Sequence, residues 1–213
     1  MIKYNVFDWD GTLVNTVPFL EKTFNHTFET LQIPAISYDK IRHIASNCEG
    51  QGVFAAVFGK ERCEEAKKVL YEYTKKHHLE LLEVFRYAEE VIRFCVKNGL
   101  RCYILSNKKS DVLKQEVEHL GWSSYFYKIS GAGEYAIDKP AKEPCFALFD
   151  NNNPQSNEIL VVGDSPTDIK MAKVWNCSCV IIKSGRAYRG IKADYKLESL
   201  AEFIPLIQSM LYK

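Results

Sequence analysis

From residue 83 to the C-terminus, short apolar strands alternate with amphipathic helices, and this alternation restricts the fold more than any other feature of the chain. Tyr87–Asn98 has the helical period and is closed by Gly99, a residue suited to the left-handed turn that ends a helix. Leu100–Leu105 follows as a strand, then Asp111–Leu120 as a helix closed by Gly121. The order continues with a strand at Ser124–Ser130, a helix at Glu143–Phe149, and a strand at Glu158–Val162. A helix at Pro166–Trp175 comes next, with proline well placed in its first turn, then a strand at Ser178–Ile182. A short strand near Ala193–Lys196 and a helix at Glu198–Leu211 complete the pattern. Strands joined by helices return in the same direction, so the expected fold class is α/β with a parallel sheet.

The N-terminal part reads differently. Tyr4–Asp8 is a strand that belongs with that sheet. After it, Val17, Leu20, Phe24, Phe28 and Leu31 recur at helical spacing until Pro34. Shorter helices are expected at Tyr38–Ala45 and Val53–Phe58, and a longer one at Glu61–His77. Residues 15–82 therefore read as a helical insertion after the first strand. Residues 1–14 and 83–213 form the α/β core.

The chain carries 28 basic and 27 acidic residues, a net charge of +1, which gives no electrostatic case for nucleic acid or a membrane surface. Short basic runs such as Lys75-Lys76-His77-His78 read as the solvated end of a helix. No apolar run approaches the roughly 20 residues that span a bilayer. The chain opens on a strand without a leader-like segment, so the expected compartment is the cytoplasm. The seven cysteines show no C-x-x-C spacing and read as reduced, mostly buried residues.

In an open parallel sheet, ligands gather beyond the carboxyl ends of the strands. Four polar groups are expected there: Asp8 with Asp10, Ser106 with Asn107, Lys139, and Asp164 with Asp168. Asp8 and Asp10 share one side of an extended chain, Gly11 allows a sharp turn, and Thr12 adds a hydroxyl. Paired carboxylates repel unless a cation or a shared proton offsets them. The chemistry that uses this set is phosphoryl transfer through an aspartyl phosphate. One carboxylate attacks phosphorus, a divalent cation and a lysine offset the negative charge, and a second carboxylic acid handles the proton.

Asp8-Trp9-Asp10-Gly11-Thr12-Leu13, Ile104-Leu105-Ser106-Asn107, Lys139-Pro140 and Gly163-Asp164-Ser165-Pro166-Thr167-Asp168 resemble, in order and spacing, the four motifs of the haloacid dehalogenase (HAD) superfamily. The resemblance covers nearly the whole chain and is nearest to phosphoglycolate-phosphatase-like members with a helical C1 cap. It implies a Rossmann-like parallel sheet core carrying an inserted α-helical cap, Mg²⁺ as cofactor, and phosphatase activity on a small phosphorylated metabolite. It also implies roles. Asp8 is the nucleophile and a Mg²⁺ ligand, and Asp10 is the general acid/base with its backbone carbonyl on the metal. Ser106 and the backbone N–H of Asn107 bind the phosphoryl group. Lys139 neutralises charge, Asp164 binds the metal, and Asp168 orients metal waters or binds the metal directly.

Three positions depart from the family pattern. Asn15-Thr16 stands where an acidic residue and Ser are usual, Lys142 is a rival to Lys139, and Trp9 is bulkier than the usual occupant. Leaving-group selection is expected in the loop of residues 46–52, through Asn47, Glu49 and Gln51. The scarcity of basic residues there favours hydrolysis over the alternative, a β-phosphoglucomutase-like phosphosugar mutase. A catalytically silent binding relative is a further alternative, and the protein is expected to be a monomer or homodimer. Gly131-Ala132-Gly133-Glu134-Tyr135-Ala136 outlines a dinucleotide fingerprint, but Pro140 falls inside the helix that such a site needs.

Overall fold

A computed structural model of the chain describes residues 1–47, 52–150, 152–183 and 192–211. The chain divides into two compact units: Met1–Asn15 with Glu83–Lys213, and Thr16–Leu82.

The first unit is built on a six-stranded parallel sheet in the order β3-β2-β1-β4-β5-β6. The strands are β1 (Tyr4–Phe7), β2 (Arg101–Lys109), β3 (Phe126–Ala132), β4 (Ile159–Gly163), β5 (Ser178–Ile182) and β6 (Tyr195–Leu197). β1, β4 and β5 are almost continuously buried, as expected of parallel strands covered on both faces. On one face, Val6, Leu105, Val161 and Ile181 join a cluster with residues of α7 (Lys142–Ala147) and α8 (Pro166–Trp175), including Cys145, Ile169, Met171 and Trp175. On the other, Phe7 meets Phe203 of α9 (Phe203–Leu211), with ring centroids 5.9 Å apart. α5 (Ala88–Lys97) packs on β2 and on α9, and α6 (Ser110–His119) packs on β2 and β3.

Several boundaries differ from the sequence reading. β2 runs to Lys109 instead of ending at Leu105, because it regains β3 at the Lys109–Ala132 pairing after a register irregularity. A 3-10 turn at Ser123–Tyr125 precedes β3, and another at Leu200–Glu202 precedes α9, so both elements start later than expected. β3 continues through Gly131 and Ala132, and no helix opens before Lys142, so the fingerprint outline lacks its helix.

Asn5 lies fully buried in β1, and neither polar atom of its amide has a hydrogen-bond partner. A buried amide without partners costs about 1–3 kcal/mol. Asn5→Val is therefore expected to raise stability by about 1 kcal/mol, read as a higher urea midpoint at unchanged m-value.

The second unit contains α1 (Val17–Thr30), α2 (Tyr38–Asn47), α3 (Gly52–Phe58) and α4 (Cys63–His77). Its core gathers Phe24, Phe28, Leu31, Ile41, Phe58 and Ala66, with Phe54 and Val57 packed against it. The aromatic residues of α3 are thus core residues of this unit. Among the described residues no helix is long and apolar enough to cross a membrane. Five of the six described cysteines are buried and Cys177 is half-buried.

Candidate active site

The neighbours of β1 are β2 on one side and β4 on the other, so the chain leaves the middle of the sheet at a point where connections diverge. Such a switch point opens a crevice at the carboxyl ends of the strands. Asp8 follows β1 there, and its N–H donates to Val162 O on β4 at 2.8 Å. Its Oδ1 lies 2.7 Å from Lys139 Nζ and accepts from Trp9 N at 2.7 Å, while Oδ2 takes part in neither contact. Burial pushes the Asp8 carboxyl above the usual carboxylate range, and the Lys139 ammonium pulls it the other way.

Lys139 comes from the loop after β3 and is itself buried. Its Nζ also donates to Asp168 Oδ1 at 3.0 Å. Burial works against its charge, but the carboxylates of Asp168 and Asp8 outweigh that and hold its pKa above the ordinary lysine value. Lys142, the rival position, is exposed at the start of α7. Asn107 contributes a contact that sequence alone did not indicate: its side-chain N–H donates to Lys139 O at 3.0 Å, tying β2 to the lysine's backbone.

Asp164 follows β4 and Asp168 sits in the first turn of α8; both are fully buried. Asp168 Oδ2 accepts from Ser165 Oγ at 2.6 Å, Ser165 N at 2.9 Å and Asp164 N at 3.2 Å. With Lys139 on its other oxygen, Asp168 serves as the anchor of this corner. Gly163 makes that approach possible, since a Cβ there would fall 2.2 Å from Asp168 Cγ.

Asp8, Asp164 and Asp168 each offer a carboxylate oxygen, and these atoms lie within 4.8 Å of one another. Three carboxylates and the one ammonium of Lys139 leave two negative charges among the four groups when all are ionised. Gly11 leaves this pocket open: a Cβ at its position would stand 2.1 Å from Asp164 Oδ2. The donor set is all oxygen, the preference of a hard divalent cation such as Mg²⁺. Gly11 also has φ +82°, a region that L side chains disfavour. Gly11→Ala is expected to cost about 2 kcal/mol from the backbone alone. It should also depress activity by more than about tenfold by shifting Asp164. Thermal melts and steady-state assays check the two effects.

Asp10 is not one of the three carboxylates that gather within 4.8 Å, though its charge acts on Asp8. Its Oδ1 accepts from Lys108 Nζ at 2.8 Å, and that ammonium also lies 2.9 Å from Glu116 Oε2 on α6. Burial works against the Lys108 charge, yet the Asp10 and Glu116 carboxylates raise its pKa. Glu116 Oε2 also accepts from Trp9 Nε1 at 2.7 Å, and Trp9 meets Trp122 edge-on at 5.9 Å. Sequence reasoning missed Lys108 and Glu116. The one usable signal was a glutamate on the apolar stripe of α6, beside Val112, Leu113 and Val117, where a charge needs a partner.

Ser106 is buried in β2, and its Oγ accepts from Lys108 N at 3.2 Å. Thr12 is fully buried, and its hydroxyl has no hydrogen-bond partner. Where the chain leaves and re-enters this unit, Asn15 N donates to Glu83 O at 2.7 Å and Phe85 N to Leu13 O at 3.0 Å. Asn15 Nδ2 further donates to Glu83 Oε2 at 2.9 Å, so an acidic group stands beside Asn15 although that position itself is neutral. Of the expected selecting residues, Glu49 and Gln51 lie outside the described residues, and Asn47 ends α2.

Sheet, crevice and buried acid–lysine cluster together define an α/β protein with three carboxylates and a lysine gathered at the switch point of its parallel sheet. The family model of the haloacid dehalogenase-like hydrolases matches residues 5–182, and the chain belongs to that family. Among curated relatives it is 24% identical over 220 residues to a phosphoglycolate phosphatase of Vibrio parahaemolyticus, covering 97% of this chain and 96% of that one. It is 25% identical over 210 residues to the pyrophosphatase PpaX of Halalkalibacterium halodurans, covering 95% of each. Among solved structures, a haloacid dehalogenase-like family hydrolase from Streptococcus pneumoniae superposes with a TM-score of 0.85 at 19% identity, over 97% of this chain and 99% of that chain. That likeness is one of fold.

Proposed function

We propose that the protein is a Mg²⁺-dependent phosphomonoester phosphatase that acts on a small phosphorylated metabolite of the phosphoglycolate type. The observation that carries this reading is the Asp8–Lys139–Asp168 chain beside Asp164: a buried carboxylate with one oxygen held by an ammonium and the other outside those contacts. Relatives named for phosphoglycolate and pyrophosphate hydrolysis support it.

In this reading Asp8 Oδ2 attacks phosphorus while the ester P–O bond breaks. The departing oxygen keeps the electron pair and takes a proton from Asp10, leaving an aspartyl phosphate on Asp8. Water then attacks that phosphorus, its proton returns to Asp10, and Asp8 is released with inorganic phosphate. Lys139 offsets charge on Asp8 and on the phosphoryl oxygens, and the Ser106 hydroxyl with the Asn107 N–H binds one of those oxygens. Asp8, Asp164 and the Asp10 carbonyl are the residues that would hold Mg²⁺. The ion supplies charge neutralisation for the meeting of two anions. Asp168 holds Lys139 and the Asp164–Ser165 turn in place. Selection of the leaving group is assigned to the helical unit, Thr16–Leu82, through residues 46–52.

The test is a panel of phosphorylated metabolites assayed with the purified protein in Mg²⁺, reading both phosphate release and isomerised product. Hydrolysis of small phosphomonoesters, lost on metal chelation and restored by Mg²⁺, is the expected result. Isomerisation of a phosphosugar without net phosphate release would establish the mutase alternative. Absence of turnover across the panel would establish a silent relative.

A further inference from the structure

We infer that Glu116 is a positioning residue for the acid/base Asp10, acting through Lys108; this rests on the phosphatase reading above. Three observations lead there. First, Glu116 is only 1% exposed, and a carboxylate so deeply buried has to be paired. Second, its partners are specific. Its Oε2 takes both the Lys108 ammonium, at 2.9 Å, and the Trp9 indole N–H, at 2.7 Å. Third, both partners lead straight into the proposed machinery. Lys108 reaches Asp10 Oδ1 at 2.8 Å and its backbone N–H donates to Ser106 Oγ, while Trp9 lies between Asp8 and Asp10 in the chain and its backbone N–H donates to Asp8 Oδ1.

The consequence is geometric. A lysine arm has four rotatable bonds, and one carboxylate does not fix where its ammonium rests. Glu116, carried on α6 and pinned by the indole, supplies the second fixed point. Lys108 Nζ is then held between the two carboxylates, and Asp10 has one oxygen engaged and a defined rotation about its side chain. That rotation sets where its second oxygen meets the departing oxygen of the substrate. The lysine alone would give charge without direction; the glutamate gives direction.

The step affected is proton donation to the leaving oxygen, so the effect should scale with how much that oxygen needs a proton. Poor leaving groups, such as the alkoxide of an alkyl phosphate, need it; p-nitrophenolate leaves without it. Glu116→Gln keeps an acceptor for the indole N–H but removes the charge that fixes Lys108. In Mg²⁺-loaded protein, kcat/KM for an alkyl phosphate such as phosphoglycolate is expected to fall by roughly tenfold to a hundredfold, the scale of a misplaced catalytic group. For p-nitrophenyl phosphate the fall should stay below about threefold, and the dependence of kcat/KM on leaving-group pKa should steepen across an aryl phosphate series. A merely structural role would lower all substrates alike.

The double variant Lys108→Met/Glu116→Gln removes the pair without leaving an unpaired buried charge, so it answers the question if the single variant does not fold. It should show the same leaving-group signature. A uniform loss, or no loss, in a wild type that hydrolyses these esters would overturn the inference and leave the phosphatase reading standing. A folded, Mg²⁺-loaded wild type that hydrolyses none of them would overturn both.

Discussion

Asp8→Asn is expected to abolish turnover of every phosphomonoester, with kcat down by at least about 10⁴-fold, the scale seen when a covalent nucleophile is removed. The amide keeps the volume of the side chain and an oxygen for the Trp9 N–H, so the buried corner stays filled. Lys139 retains Asp168 at 3.0 Å as its anionic partner. The variant should therefore fold with an unchanged far-ultraviolet spectrum, which separates chemistry from stability. It should also fail to incorporate label from a labelled phosphate ester, whereas the wild type, quenched in acid during turnover, carries the label on Asp8. Retention of more than a tenth of the activity would remove Asp8 from the nucleophile's role.

The second large effect is expected on stability. Asp168→Ala removes a carboxylate that accepts Ser165 Oγ, Ser165 N, Asp164 N and Lys139 Nζ. Breaking a buried, hydrogen-bonded ion pair by deleting one partner costs about 3–5 kcal/mol. At about 2–4 °C per kcal/mol for a chain of this size, the melting temperature should drop by roughly 10 °C. Activity should fall with it, because Lys139 and the Asp164 turn both lose their anchor. Asp168→Asn is the useful companion, since it keeps part of the hydrogen bonding. If Asp168 acts through its neighbours, the Asn variant should recover most of the stability and need only modestly more Mg²⁺. A loss of Mg²⁺ affinity as large as that of Asp164→Asn would make Asp168 a metal ligand.

The fold was legible because its signals are local. Pro166 at the start of α8 and Gly99 just after α5 mark boundaries through backbone chemistry that needs no distant partner. The parallel sheet follows from the strand–helix alternation alone. The continuation of β2 to Lys109 was not legible, because it depends on pairing with β3 across a register irregularity. The 3-10 turns before β3 and α9 blurred into their neighbours for the same kind of reason: their residues carry no period of their own.

The candidate site divides along the same line. Asp8, Asp10, Asp164 and Asp168 could be picked out because they sit at or just beyond a strand end or in the first turn of a helix, whereas Ser106, inside β2, and Lys139, in the loop after β3, were legible through the motifs that contain them. Which lysine faces Asp8 was decided by the course of the loop after β3, which buries Lys139 and leaves Lys142 in solvent. The partnership of Trp9 with Glu116, 107 residues apart, and of Asp10 with Lys108, 98 apart, exists only because the sheet sets β1 beside β2 and α6 packs back over β2 and β3. The sequence by itself determined the class of fold and the positions that bear charge, because periodicity, turns and caps act over a few residues. Only the tertiary structure decided which charges meet, because burial turns an unpaired charge into a cost that packing across the sheet must meet.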